Sequence, residues 1–264
     1  MTSVPGTAGR LAQLYGLHAE PLYGAAGAPV YDLVSGQDRE EIGDVLRLAQ
    51  GLSAPILELA CGSGRLTLPL VARGHQVVAL DNSPALLELL TRRLPGDRSR
   101  VRLVEGDMTA FDLGQSFPLI VLGTSSVCLL DARQRADVFR RVRDHLSDDG
   151  VFFVSTMDFA DSLIPRIRPV ERTSLAVVDD AALTLVQHFD GRRRVRTTSL
   201  LHETVHNGQS STRSLFVSEV NILGSAQLEA ELADAGLTVT DRRRRAAGEQ
   251  TPVQLVCRRT GGRR

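Results

Sequence analysis

Residues 56–67, ILELACGSGRLT, hold the residue types best suited to chemistry in this 264-residue chain. A short apolar run carries Glu58, then comes a loop with Ala60, Gly62 and Gly64, then an amphipathic segment. Small side chains let a ligand lie against bare backbone, and the N–H groups opening the next helix can take a carboxylate. Two acidic markers follow at the spacing of successive strands: Asp81, beside Asn82 in VVALDNSP, and Asp107, beside Met108 in VEGDMTAF. An acidic residue ending a second strand can accept hydrogen bonds from both hydroxyls of a ribose. Asp107 can accept from an adenine amino group while Met108 packs against the ring. The ordered set predicts a site for an adenosine-bearing cofactor, S-adenosylmethionine, whose methionyl carboxylate would meet the loop N–H groups. The rival is a nicotinamide dinucleotide, but its fingerprint needs a third glycine or alanine where this chain has Thr67, and it gives Asp107 no role.

The elements that must position these residues alternate. Strands are predicted at 56–59, 76–80, 101–104, 119–122 and 151–155, and helices at 65–73, after Ser83-Pro84, and at 132–146. Alternating strands and helices imply a parallel sheet covered on both faces, an α/β fold of Rossmann-like type. The first ten residues read as a loose end and 11–50 as two or three short helices. After Met157 the pattern changes to β-rich runs punctuated by Asp190-Gly191 and Asn207-Gly208, two hairpin signals. These predict an inserted antiparallel sheet of three or four strands. A helix returns at 225–235, closed by Gly236, and two last strands near 237–240 and 253–258 rejoin the large sheet. The domain reading is a helical lid segment at 1–50, an α/β core at 51–158 and 222–264, and a β cap at 159–221.

Basic and acidic residues balance at 31 each, and every basic residue other than the histidines is arginine. That balance argues against a nucleic-acid partner, which selects a basic face. Cys61, Cys128 and Cys257 have no metal-ligand spacing, so no metal is expected, and their sparse, odd number suits a reducing compartment. No cationic head precedes an apolar run near the start, and no run approaches a membrane span. A cytoplasmic protein without membrane contact is the expectation.

The runs ELACGSGRLTLPL, VVALDNSPALLELL, VEGDMTAFDL and LIVLGTSSVCLLD resemble successive motifs of class I S-adenosylmethionine-dependent methyltransferases. More narrowly the chain resembles actinomycete natural-product N-methyltransferases: the glycopeptide-antibiotic enzymes and those that dimethylate the N-terminal amine of daptide-type peptides. The resemblance covers residues 23–157 and 225–257. It implies that Glu58, Ala60, Gly62 and Gly64 form the glycine-rich motif, Asp81 and Asn82 the ribose motif, and Asp107 and Met108 the adenine motif. It places Gly123 and Thr124 at a strand exit facing the methionyl amine, and Tyr31 as a tyrosine closing over the cofactor. Ala60 departs from the glycine of many members, a small-for-small change expected to be harmless. The signature of nucleobase-amine methyltransferases is missing from the fourth strand.

Candidates for orienting a methyl acceptor are Tyr23, Ser126 and His188, with Tyr15, Ser125, His202 and His206 behind them. Asp158 and Asp161 could bind a substrate ammonium, and His145 would place a favourable charge at a helix end. The arginine runs 192–194 and 242–245 read as solvated hairpin edges that block pairing, with recognition of an acidic leader or carrier as the rival reading. The sequence thus predicts methyl transfer to an amine of a small-molecule or peptide natural product, releasing S-adenosylhomocysteine. An O-methyltransferase of the same fold and a non-catalytic S-adenosylmethionine-binding scaffold are the alternatives. A homo-oligomeric assembly stays open.

Overall fold

In a computed structural model describing residues 4–35, 39, 41–96, 98–164, 168–206, 209–245 and 248–261, the chain forms two units. One joins residues 38–159 to 223–264; the other joins 1–37 to 160–222. Numbered along the chain, the helices are α1 (Gly6–Tyr15), α2 (Gly27–Ser35), α3 (Ile42–Ala49), α4 (Thr67–Ala72), α5 (Pro84–Arg93), α6 (Ala132–His145) and α7 (Ser225–Asp234). The strands are β1 (Ala19–Pro21), β2 (Ile56–Leu59), β3 (Val77–Asp81), β4 (Val101–Glu105), β5 (Phe117–Leu122), β6 (Leu146–Phe159), β7 (Val170–Val178), β8 (Ala181–Asp190), β9 (Val195–His206), β10 (Gln209–Asn221), β11 (Leu237–Arg244) and β12 (Gln250–Arg259).

The first unit is α/β. Its sheet runs β11-β12-β6-β5-β2-β3-β4, with β2 to β6 parallel to their neighbours and β12 antiparallel to both β6 and β11. The near-continuous apolar runs of β2 and β3 bury every residue, as a sheet covered on both faces requires. Val77, Ala79, Leu119, Val121 and Phe153 face a core filled by Leu70 and Val71 of α4 and by Leu87 and Leu90 of α5. Helix α3, grouped with the N-terminal segment in the sequence reading, places Val45 and Ala49 in the same core. Across the sheet, Phe139 of α6 meets Phe152, ring centroids 6.3 Å apart. Local chemistry sets the helix starts: the Ser83 hydroxyl accepts from Leu86 N–H ahead of Pro84, and Asp131 and Gln134 cap one another's backbone. From β2 the chain goes to β3 and β4 on one side, then crosses to β5 and β6 on the other. That reversal makes the carboxyl ends of β2 and β5 the place where such sheets bind ligands.

The second unit is a five-stranded sheet ordered β1-β10-β9-β8-β7. Strands β7 to β10 are antiparallel as expected, but β1 adds a fifth, parallel to β10, which its three exposed residues did not advertise. Residues 6–10 are not a loose end, because α1 starts at Gly6 after Pro5. Its Thr7 gives both its N–H and its hydroxyl to Glu171 of β7, at 2.9 and 2.7 Å. The hairpin signalled by Asp190-Gly191 is a four-residue loop. Asp190 accepts from the N–H groups of Arg192 and Arg193, and the positive φ falls on Arg194 instead of the glycine. The second signal, Asn207-Gly208, lies outside the described residues.

Candidate functional site

Strand β2 delivers the glycine loop at its carboxyl end. Residues 62–66 form turns and α4 starts at Thr67, two residues later than the spacing predicts. Ala60, Gly62 and Gly64 all have positive φ, at 52°, 55° and 94°. In Ala60 that conformation costs about 1–2 kcal/mol, so the departure from glycine is not neutral. The two glycines serve different ends. A Cβ on Gly62 would meet no protein atom within 4 Å, so its backbone faces open space. One on Gly64 would lie 2.3 Å from Leu90 Cδ1, which makes Gly64 a packing glycine beneath α5 instead of a ligand-facing one.

The acidic residues divide in the same way. Asp81 ends β3 and accepts from Gly62 N–H at 2.7 Å and Ser83 N–H at 2.8 Å, one on each oxygen. Burial pushes its carboxyl up, and the backbone bonds from Ser83 and Gly62 pull against it. Each oxygen keeps a second lone pair, so Asp81 both shapes the glycine loop and can accept from a diol. Glu58 is buried and takes the hydroxyl of Thr67. Burial raises its pKa to about 8, against the opposing pull of Thr67 and Arg65. It supports the loop from within the protein, so its contacts do not carry the ligand-binding role implied for it. Asp107 sits after β4, exposed, with Thr109 N–H on one oxygen and half-buried Met108 beside it. Gly106 N–H donates to the Asp81 carbonyl and ties this loop to β3. Asn82, next to Asp81, is exposed.

Beyond β5, Gly123 leads into Thr124 and Ser125, both in the left-handed region at φ 57° and 56°. Ser126 opens a 3-10 turn, its N–H on the Gly123 carbonyl. Two residues that the sequence reading missed hold this exit. Buried Glu41 accepts from Thr124 N–H at 2.9 Å and from Arg65 Nη2 at 2.7 Å, and Arg65 also donates to the Thr124 hydroxyl. Nothing in the run DREE around Glu41 marks it, since its partners lie far along the chain.

The carboxyl ends of β2, β3, β4 and β5 therefore gather Ala60, Gly62, Asp81, Asn82, Asp107, Met108, Gly123, Thr124 and Ser126. Tyr23, Tyr31 and His188 belong to the other unit. The two tyrosine rings meet edge-on at 5.0 Å over Leu22, Val30 and Phe216. His188 Nδ1 is 3.2 Å from Glu171. His202 is pushed down by burial, and the His206 side chain lies outside what is described. Other expectations are corrected. Asp158 caps α7, accepting from Ser225 N–H and hydroxyl at 2.7 and 2.9 Å, and pairs with Arg244 at 2.6 Å. The run 242–245 is exposed along the edge strand β11, as expected, but it is also paired: Arg242 with Glu229, and Arg243 and Arg245 with Asp44. Arg193 likewise pairs with Glu219. His145, at the end of α6, has Nε2 3.2 Å from Leu113 N–H and 3.5 Å from Asp112, and Nδ1 2.8 Å from the Arg141 carbonyl. The cleft of about 450 Å³ around Asp112, Arg141 and His145 lies at the amino ends of β5 and β6, away from this constellation. Among the described residues, no group of three His, Cys, Asp or Glu is arranged to hold a metal, and no helix is long and apolar enough to cross a membrane.

Residues 56–150 match a family profile described as a methyltransferase domain. Over that stretch the α/β unit resembles a methyltransferase domain, and its sheet order is that of a Rossmann-like fold. The chain is 30% identical over 155 residues to the dTDP-4-amino-2,3,4,6-tetradeoxy-D-glucose N,N-dimethyltransferase of Saccharopolyspora spinosa, covering 54% of this chain and 59% of that one. It is 27% identical over 145 residues to the cypemycin N-terminal methyltransferase of a Streptomyces species, covering 53% and 58%. The chain thus spans under two thirds of the length of both curated relatives. The structure of the glycopeptide N-methyltransferase MtfA with S-adenosylmethionine superposes at a TM-score of 0.59 with 27% identity, over 83% of this chain and 92% of that one. The α/β unit has a donor set that would fit S-adenosylmethionine: open backbone at Gly62, and beside it a carboxylate with lone pairs to spare.

Proposed function

We propose that the chain transfers methyl groups from S-adenosylmethionine to an amine of a natural product, an aminosugar or the N-terminal α-amine of a peptide. The observation that carries this is the pairing of Gly62 with Asp81, a backbone cradle and a diol acceptor held together by one 2.7 Å hydrogen bond. Asp81 would take the ribose hydroxyls, and Asp107 with Met108 the adenine. The turn after Gly62 would meet the methionyl carboxylate, and the Gly123-Thr124 exit the methionyl amine. The bound sulfonium supplies an electrophilic methyl. What the protein adds is alignment, since holding two reactants at attack distance replaces a bimolecular encounter. An α-amine, with a reference pKa of about 8, is partly unprotonated at neutral pH and needs no strong base. Three of the similar proteins are named as N-methyltransferases, of an aminosugar, a peptide N-terminus and a glycopeptide, while another is named as a magnesium-protoporphyrin O-methyltransferase.

The test is mass spectrometry after incubation with methyl-labelled donor and a panel holding an aminosugar, peptides with free and blocked N-termini, and hydroxyl compounds. Label only on free amines is the expected result. Label only on a hydroxyl would replace this reading with O-methylation, and donor binding with no transfer to any acceptor would leave a scaffold. For the donor site itself, Asp81→Ala should weaken S-adenosylhomocysteine binding by about thirtyfold or more, since it strips both the diol acceptor and the Gly62 tether from a buried place. Unchanged affinity by titration calorimetry would remove the ribose from Asp81.

A further inference from the structure

In the order β3-β2-β5, Asp81 marks one side of the glycine loop and the Gly123-Thr124-Ser125 exit the other. A nucleoside whose ribose sits at Asp81 extends its remaining chain across the β2 loop toward β5. That exit is strained, with two consecutive left-handed non-glycine residues, and such backbone persists only when its surroundings over-determine it. The restraint can be named atom by atom. Glu41 Oε2 accepts from Thr124 N–H at 2.9 Å; Arg65 Nη2, 2.7 Å from the same carboxylate, also donates to the Thr124 hydroxyl; and Ser155 Oγ accepts from Ser125 N–H at 3.1 Å. Arg65 belongs to the glycine loop itself, so the ion pair joins the two loops that would flank the ligand. A Cβ on Gly123 would sit 2.9 Å from Glu41 Oε2, so the carboxylate packs directly on the exit backbone. Glu41 is itself buried with a left-handed φ of 67°, which aims its side chain away from the helical track of α3.

We infer that Glu41 is a positioning residue: with Arg65 it clamps the β5 exit to the glycine loop and so sets the pocket for the amino-acid end of the donor. This rests on the proposed methyltransferase function. It predicts a selective defect, because the adenosine end is held by Asp81 and Asp107, which Glu41 does not touch.

The test is titration calorimetry with two nucleosides, S-adenosylhomocysteine and 5′-methylthioadenosine, the second lacking the amino-acid end. Glu41→Ala should weaken S-adenosylhomocysteine by about tenfold and 5′-methylthioadenosine by less than about twofold, the loss of a charge-assisted contact felt only where it acts. Glu41→Gln keeps the shape and an acceptor for Thr124 N–H, so it should fall between, and it carries the test if the alanine variant is insoluble. Asp81→Ala should weaken both nucleosides together. Thr124→Gly, which removes the left-handed strain, should restore part of the loss in the Glu41→Ala background. Equal weakening of both nucleosides by the Glu41 variants would show general loosening and overturn the clamp, as would no change in either. Failure of the wild type to bind either nucleoside would instead overturn the methyltransferase reading on which the clamp depends.

Discussion

Glu58 shows how a motif residue can work without touching a ligand. Its carboxyl is enclosed beside Thr67, Asp81 and Arg65, and burial lifts its pKa from 4.5 to about 8. Because the folded value is raised, the stability tied to its proton is fully present below pH 4.5 and is lost as pH rises through about 8. Glu58→Gln has no proton to lose. The melting temperature of wild type minus that of the variant should therefore fall across that window and level off above it. Parallel curves in a buffer series would show that Glu58 is ionised throughout. Asp81, Gly62 and the Ser83-Pro84 cap were legible in the sequence because their partners lie within about twenty residues and the types are chemically distinctive. Glu41 was not: its partners are 24 and 83 residues away, and a glutamate among charged neighbours looks like solvated surface.

At the level of elements, long-range ion pairs join pieces that periodicity can only list. Helix α3 presents buried Asp44 to Arg47 on its own turn and to Arg243 and Arg245 at the far end of the chain. Burial pushes the Asp44 carboxyl up, but the three guanidinium groups outweigh it and the net shift is downward. The stability it contributes is present above pH 3.8 and lost as pH falls through the lowered folded value. Asp44→Ala should lower unfolding stability by about 1–3 kcal/mol, a range reduced because the arginine partners are half-exposed and stay solvated. Urea denaturation at neutral pH reads this directly, and an unchanged midpoint would make the pairs ornamental. From sequence, the same arginines looked like an edge guard. Their acidic partner, 199 residues away, is invisible to any window along the chain. Strand β1 was missed for a different reason: its three exposed residues have no alternation to read.

For the whole molecule, the excursion into the second sheet leaves and re-enters the α/β unit at one place. The Thr156 hydroxyl bonds the Leu223 carbonyl at 2.6 Å and Asp158 holds Ser225, so the two ends of the cut lie together. A chain of residues 38–159 joined to 223–264 by a short Gly-Ser linker should therefore fold cooperatively. It should bind S-adenosylhomocysteine within about tenfold of the full chain, because Asp81, Asp107, Gly62 and the Glu41 clamp all stay. Circular dichroism and calorimetry would check this, and loss of binding in a folded product would show that the donor site draws on the removed residues. The alternation of strands and helices made this unit legible as a fold, and the switch to period two after Met157 marked where it is interrupted.

Strand β12 sits between β6 and β11, yet it is made only after all of β7 to β10. During synthesis the inserted hairpins can finish folding while their host still lacks two strands. Until residues 250–259 arrive, the long β6 exposes an unpaired edge carrying Phe152, Phe153 and Val154, open to wrong partners. On a ribosome, the α/β unit is thus a sheet held open while residues 160–249 are made, and its yield in cells should depend on temperature and chaperone supply more than its finished stability would suggest.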